Sequence, residues 1–164
     1  LAGAMALKAR GKHMLFFYAP ALLDEQGISV ERVRALVDME VRLAAGGAAA
    51  GPALEVVGGE ACAPDGTLYR RGRMFFCPAP ALSSERFRFF CREAGIHIYA
   101  DSDDVLMAGG GYIALHAASA GSKTIQNPTP TMWTNERTGE RTSAPADSVT
   151  IHLERGQTAL FSVG

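Results

Sequence analysis

No long apolar run occurs in this chain. The longest, Met14 to Leu23, is ten residues and contains Pro20, whereas a membrane-spanning helix needs roughly 20, so a soluble protein with no membrane partner is expected. An excess of either charge is also lacking: 16 Lys+Arg stand against 17 Asp+Glu, for a net charge of −1. Non-sequence-specific nucleic-acid binding needs a basic face that displaces counterions, and nucleic acid is therefore not an expected partner. Cysteine is scarce. Cys62, Cys77 and Cys91 are odd in number, show no C-x-x-C spacing and lie in or beside apolar stretches, where a reduced Cys behaves as a small hydrophobe. Unpaired thiols suit a reducing compartment, so a cytoplasmic location is expected. The opening Leu1-Ala-Gly-Ala-Met5 has no initiator Met and no basic stretch followed by an apolar one, which suggests an excised piece or a processed front rather than a signal peptide.

What is present is enough for a core. The 164 residues are 48% hydrophobic, suited to one ordinary domain or two small ones. Two segments resemble each other: Met14-Leu-Phe-Phe-Tyr-Ala-Pro-Ala-Leu22 and Met74-Phe-Phe-Cys-Pro-Ala-Pro-Ala-Leu82. Continuous apolar runs, as opposed to alternating ones, suit strands buried on both faces of a parallel sheet. Pro20 and Pro80 cannot donate to a ladder and so end each strand. Ser29 caps a predicted helix through about Asp38, with Val30, Val33, Leu36 and Val37 on one stripe. Ser83 or Ser84 caps a second through Ala94, carrying Phe87, Phe90, Cys91 and Ala94 at helical spacing. Gly95 stands where a left-handed terminal residue is wanted, and Leu82 and Phe87 occupy the positions of a hydrophobic staple. Each helix leads into a further strand candidate, Met39 to Leu43 and Ile96 to Ala100, which makes β-α-β twice. Between the units, Ala44 to Gly51 reads as a loop. Ala53 to Val57 and Thr67 to Arg70 read as a small β excursion about a turn at Asp65-Gly66.

From Val105 onward helical periodicity stops. Val105–Ala108, Tyr112–Ala118, Lys123–Gln126, Met132–Glu136, Val149–Leu153 and Thr158–Val163 are short strand candidates separated by Gly-containing turns. The expected fold class is α/β followed by all-β: a partial flavodoxin-like parallel layer over 1–101, then a small antiparallel β-sandwich module over 102–164.

Several of these stretches resemble a known family. Gly95-Ile-His-Ile-Tyr-Ala-Asp-Ser-Asp-Asp-Val-Leu106, Tyr112-Ile-Ala-Leu-His-Ala117, Lys123-Thr-Ile125, Trp133-Thr-Asn-Glu-Arg-Thr-Gly-Glu140 and Gly156-Gln-Thr-Ala-Leu-Phe161 look like the end of large microbial glycoside hydrolases, most closely β-galactosidase-like enzymes. The resemblance spans roughly residues 11 to 164. It implies a catalytic barrel upstream, then a glutamine-amidotransferase-like (flavodoxin-like) domain that is non-catalytic and can contribute to oligomer contacts, then a small C-terminal β domain. The family's paired catalytic glutamates belong to the barrel, so none transfers to this sequence, and no Cys sits in a Gly-x-Cys-x-Gly turn. The implied partners are the N-terminal part of such a polypeptide or a neighbouring subunit, including a homo-oligomer.

The remaining constellations each have a plainer reading beside the functional one. Asp101, Asp103 and Asp104 form the densest carboxylate cluster and supply oxygen ligands suited to Ca²⁺; a solvated turn is the plainer reading. His97, Tyr99 and His116 match no short zinc spacing, and His13 and His152 are scattered. Trp133, the only Trp, and Tyr112 are candidates for stacking on a sugar, against a core or interface role. Ser102, Ser119 and Ser122 lie near His or Asp without a Gly-x-Ser-x-Gly elbow, and Gly109-Gly110-Gly111 lies between strands, not before a helix. No cofactor is expected. Three functions compete: a non-catalytic portion of a glycoside-hydrolase-like protein, a free-standing sugar- or metal-binding module, and a small enzyme whose pocket gathers distant residues.

Overall fold

The computed structural model describes residues 2–44, 54–63, 67–79 and 81–164. The chain divides into two units, Leu1–Gly95 and Ile96–Gly164, so the division falls ahead of the 101/102 boundary read from the sequence.

The first unit holds helices α1 (Ala2–Ala9), α2 (Val30–Val37) and α3 (Ser84–Glu93). Its strands are β1 (Met14–Phe17), β2 (Leu23–Asp24), β3 (Gly27–Ile28), β4 (Glu40–Leu43), β5 (Leu54–Gly58), β6 (Glu60–Ala61), β7 (Tyr69–Arg71) and β8 (Met74–Cys77). The two similar apolar runs are direct neighbours. β1 pairs with β8 in parallel, Met14 opposite Met74 and Phe17 opposite Cys77. All four residues of β8 are buried, because a helix covers each face. β1, by contrast, lies at the sheet's edge with none of its residues fully buried, so burial on both faces holds for only one of the two runs. Phe76 and Met74 pack with Val33, Leu36 and Val37 of α2. On the opposite face Phe75 meets Phe90 of α3 edge-on at 5.1 Å. Burying such side chains stabilises by roughly 1.5–3 kcal/mol each. The caps are as the sequence implies: Ser29 and Ser83 accept from the amides of Arg32 and Arg86, Asp38 ends α2 at φ 60°, and Gly95 follows α3 at φ 70°.

The parallel layer, however, is narrower than expected. Among the described residues only β1 and β8 run parallel; β7 and β6 follow antiparallel, giving the order β1-β8-β7-β6. The strand after α2 does form, but β4 pairs antiparallel with β5 in a separate two-stranded sheet. Val41 is its one buried residue, between exposed Glu40 and Arg42. That alternation is the mark of a strand with one wet face, and it set β4 apart from the continuous runs. Ile96 to Ala100 is not a strand. Ile96 is half exposed, and the segment contributes a single backbone bond to β11 (Gly121–Thr131), from the Gln126 amide to the Tyr99 carbonyl at 2.7 Å. Flavodoxin-like layering therefore remains an expectation, while an α/β unit followed by a β unit is what the fold shows. The Asp65-Gly66 turn, Pro80, Ala53 and residues 45–51 of the expected loop lie outside the described residues. Helix α1 and the β2–β3 hairpin lacked a sequence signal.

The second unit is all-β: β9 (Val105–Gly109), β10 (Tyr112–His116), β11, β12 (Trp133–Asn135), β13 (Ala146–Leu153) and β14 (Thr158–Val163). One antiparallel sheet has the order β12-β14-β10-β9, and β11 and β13 form the other. Ile113, Leu115, Ala159, Phe161 and Trp133 from the first share a core with Ile125 and Leu153 from the second, the two-sheet packing of a sandwich. The β9–β10 hairpin turns on Gly110 and Gly111, both at positive φ, as a tight primed turn demands. Among the described residues, no helix is long and apolar enough to cross a membrane.

Candidate functional site

The carboxylate cluster resolves into inward and outward members. Asp104 and Lys123 are almost fully buried, with side chains 2% and 7% exposed, and Lys123 Nζ lies 3.0 Å from Asp104 Oδ2. Lys123 also donates to Ser119 Oγ at 3.0 Å, and the Ala118 amide donates to Asp104 Oδ1 at 2.8 Å. Burial by itself pushes the Asp104 carboxyl up, but the nearby Ser102 hydroxyl, the Lys123 ammonium and the Ala118 amide outweigh it and hold the group below its ordinary value. The cation that Asp104 holds is thus the Lys123 ammonium. Asp101 and Asp103 are exposed. Among the described residues, no three His, Cys, Asp or Glu side chains are grouped to share a metal ion. Ser119 has Lys123 for a neighbour, but a Lys that donates to a carboxylate does not take a proton from a hydroxyl.

Trp133 is a core residue, 1% exposed. Its Nε1 donates to the Ala146 carbonyl at 2.9 Å, and its ring meets Phe161 edge-on at 5.8 Å, so neither face is open to a sugar. Its hairpin is tightly pinned: Asn135 Oδ1 accepts from the amides of Arg137 and Thr138. An apolar cleft of about 210 Å3 lies between the two sheets here, with Trp133, Phe161, Val149 and Ile151 inside and Glu140 and Arg141 at the rim. Tyr112, by contrast, is half exposed on the outer face of β10.

A second cleft, of about 380 Å3, was not legible in the sequence. The β11–β13 ladder runs in register from Gly121 opposite Leu153 to Gln126 opposite Ser148, then breaks until Thr131 meets Ala146. Asn127-Pro-Thr-Pro130 thus bulges opposite the single residue Asp147. Pro128 and Pro130 have no amide hydrogen to rejoin the ladder. Into the gap face His97, Gln126, Asn127, Pro128, Asp147 and Ser148. His97 Nε2 lies 3.2 Å from the Gln126 carbonyl, and the ring stands edge-on to Tyr99 at 4.6 Å. Ser148 Oγ donates to Asp147 Oδ1 at 3.2 Å. Ser, His and Asp are therefore together, but not as a nucleophile, its base and its orienter, since the hydroxyl is bonded to the carboxylate and the imidazole to a backbone carbonyl. The Asn-Pro-Thr-Pro run was the one available signal, because two prolines in a strand imply a bulge. His97 reaches the cleft only through tertiary folding.

In the first unit, Arg32 holds the loop after β1. Its Nε donates to the Ala21 carbonyl at 3.1 Å and its Nη2 to the Leu22 carbonyl at 3.2 Å and to Gly27; Asp24 lies 3.0 Å away. Tyr18 and Ala21 in this loop have positive φ, a conformation costly for residues with a Cβ, and Arg32 stabilises it. Comparison with known proteins brings no relative: no family model, no curated protein and no solved structure matches the chain.

Proposed function

We propose that this chain is a non-catalytic packing and oligomerisation portion of a β-galactosidase-like glycoside hydrolase. The observation that carries the reading is the outer face of the sheet formed by β9, β10 and β14. Met107, Ala114 and Leu160 stand side by side across the three strands, with Val105 and Tyr112 beside them on the same face. Met107 is 70% exposed and Val105 56%. Large apolar side chains grouped on one open face are characteristic of interaction surfaces. A second copy of the chain is the partner favoured here, since the row carries no charge and a two-fold interface is self-complementary; the preceding part of such an enzyme is the other partner in keeping with this role. The resemblance of the stretches quoted from the sequence to the ends of these enzymes is the support for carbohydrate metabolism, and the free thiols of Cys62, Cys77 and Cys91 suit a cytoplasmic setting.

Light scattering on size-fractionated protein tests this. We expect a concentration-dependent oligomer that Met107→Asp or Leu160→Lys dissociates while the circular dichroism spectrum is unchanged. A monomer at every concentration removes the self-association of this face. Turnover of nitrophenyl glycosides by the purified chain removes the non-catalytic one.

A further inference from the structure

We propose that the cleft at the β11 bulge is a binding site for a neutral polyhydroxylated ligand, a single sugar residue, independent of the packing role above. The chemistry of the lining selects this class. Asp147 presents a carboxylate, an acceptor, while Gln126 and Asn127 carry amides that both donate and accept, and Ser148 and His97 add a hydroxyl and an imidazole. Each hydroxyl of a sugar is itself one donor and two acceptors, so a ring of mixed partners of this kind satisfies vicinal hydroxyls in pairs.

Other classes fit less well. The described lining contains no Lys or Arg and does contain Asp147, which opposes phosphate or a carboxylate ligand. Pro128 is the one aliphatic side chain in it, which opposes a wholly apolar ligand. A divalent cation would find only His97 and Asp147 among the strong ligand types, consistent with the lack of any group of three among the described residues.

The bulge also explains why the groups are available. In an unbroken ladder Asp147 would face a paired residue, and the backbone groups of Asn127 to Pro130 would be engaged across the strands. The break instead leaves the loop supported from within: Asn127 Nδ2 donates to the Thr129 carbonyl at 3.0 Å. The Gln126 amide is tied to Tyr99, whose ring supports His97. Bulges that re-aim side chains recur beside binding sites. The cleft is thus held open by local bonding before any ligand arrives, which lowers the ordering cost of binding. Pro128 supplies C–H surface for the apolar side of a pyranose.

The test is titration of the full chain with methyl β-D-galactopyranoside, methyl β-D-glucopyranoside, methyl α-D-mannopyranoside and sorbitol, followed by two-dimensional amide and imidazole NMR. We expect saturable, millimolar binding of at least one glycoside, with shifts confined to His97, Gln126, Asn127, Asp147 and Ser148. Asp147→Ala should weaken it about tenfold or more, because a hydrogen bond to a charged group is lost, with the rest of the spectrum unchanged. Tyr112→Ala should leave the affinity as it was. Silence towards every glycoside at the highest soluble concentration overturns the proposal. So do loss of binding in Tyr112→Ala with Asp147→Ala unaffected, or shifts at the cleft with calcium chloride alone. None of these outcomes bears on the oligomeric state, so the packing role stands or falls separately.

Discussion

At the scale of single residues, the buried pair of Asp104 and Lys123 is the most consequential feature of the β unit. Removing one partner leaves an uncompensated charge in a site with little access to water. Lys123→Met is expected to lower stability by about 3–5 kcal/mol, read from urea unfolding followed by Trp133 fluorescence. The double variant Asp104→Asn with Lys123→Met should recover a large part of that loss, since no lone charge then remains. Acid acts on the same pair. The Asp104 carboxyl titrates below its ordinary value in the folded state. Its contribution is therefore present above the unfolded-state value and fades as pH falls through the depressed folded one. Urea midpoints measured down a pH series should fall less steeply for Asp104→Asn than for the unchanged protein. Equal slopes would show that other carboxylates govern the acid limb. In the sequence Asp104 was one of three neighbouring carboxylates, and nothing local distinguished it from Asp101 or Asp103. Its inward turn depends on Lys123, which only the fold brings near.

At the scale of elements, β8 governs the α/β unit. Its four consecutive buried residues take helix α2 on one face and α3 on the other. Phe76→Ala is expected to cost about 3–5 kcal/mol, whereas Ser83→Ala, which removes the α3 cap, should cost about 1 kcal/mol; thermal unfolding of both variants gives the comparison. These elements were readable in advance. A continuous apolar run, a capping Ser, a helical stripe and a Gly just past the end are each local signals, and β1, β8, α2 and α3 formed where those signals lay. The alternating strands of the β unit were readable for the same reason: Ile113 and Leu115 point inward while Tyr112 and His116 point out. Pairing was harder. The sequence places Met39 to Leu43 in the parallel layer, although the alternation around Val41 favours a one-sided strand. Ile96–Ala100 looked like a strand by composition, but its path is determined by bonds to β11 and not by a ladder of its own.

At the scale of the whole molecule, each unit has its own core, and the chain carries natural probes for both. Trp133 lies in the β unit, and Cys77 and Cys91, both buried, lie in the α/β unit. Unfolding followed by thiol labelling should therefore report the first unit, and unfolding followed by Trp fluorescence the second. We expect two distinct midpoints, with Phe76→Ala moving the thiol curve and leaving the fluorescence curve in place. A single shared transition that moves as one would show the two units to be one cooperative body.

What the sequence determined by itself is local in origin: which segments are continuously apolar, where α2 and α3 begin and end, and where glycines allow the chain to reverse. These follow from side-chain periodicity and from backbone preferences within a few residues. Tertiary structure alone decided the partners. It placed β4 beside β5, buried Trp133 in the core, closed Lys123 onto Asp104, and carried His97 to the gap that Asn127-Pro-Thr-Pro130 opens in β11. Each of these joins residues far apart in the chain, and desolvation and strand register select such pairs from many local patterns that look alike.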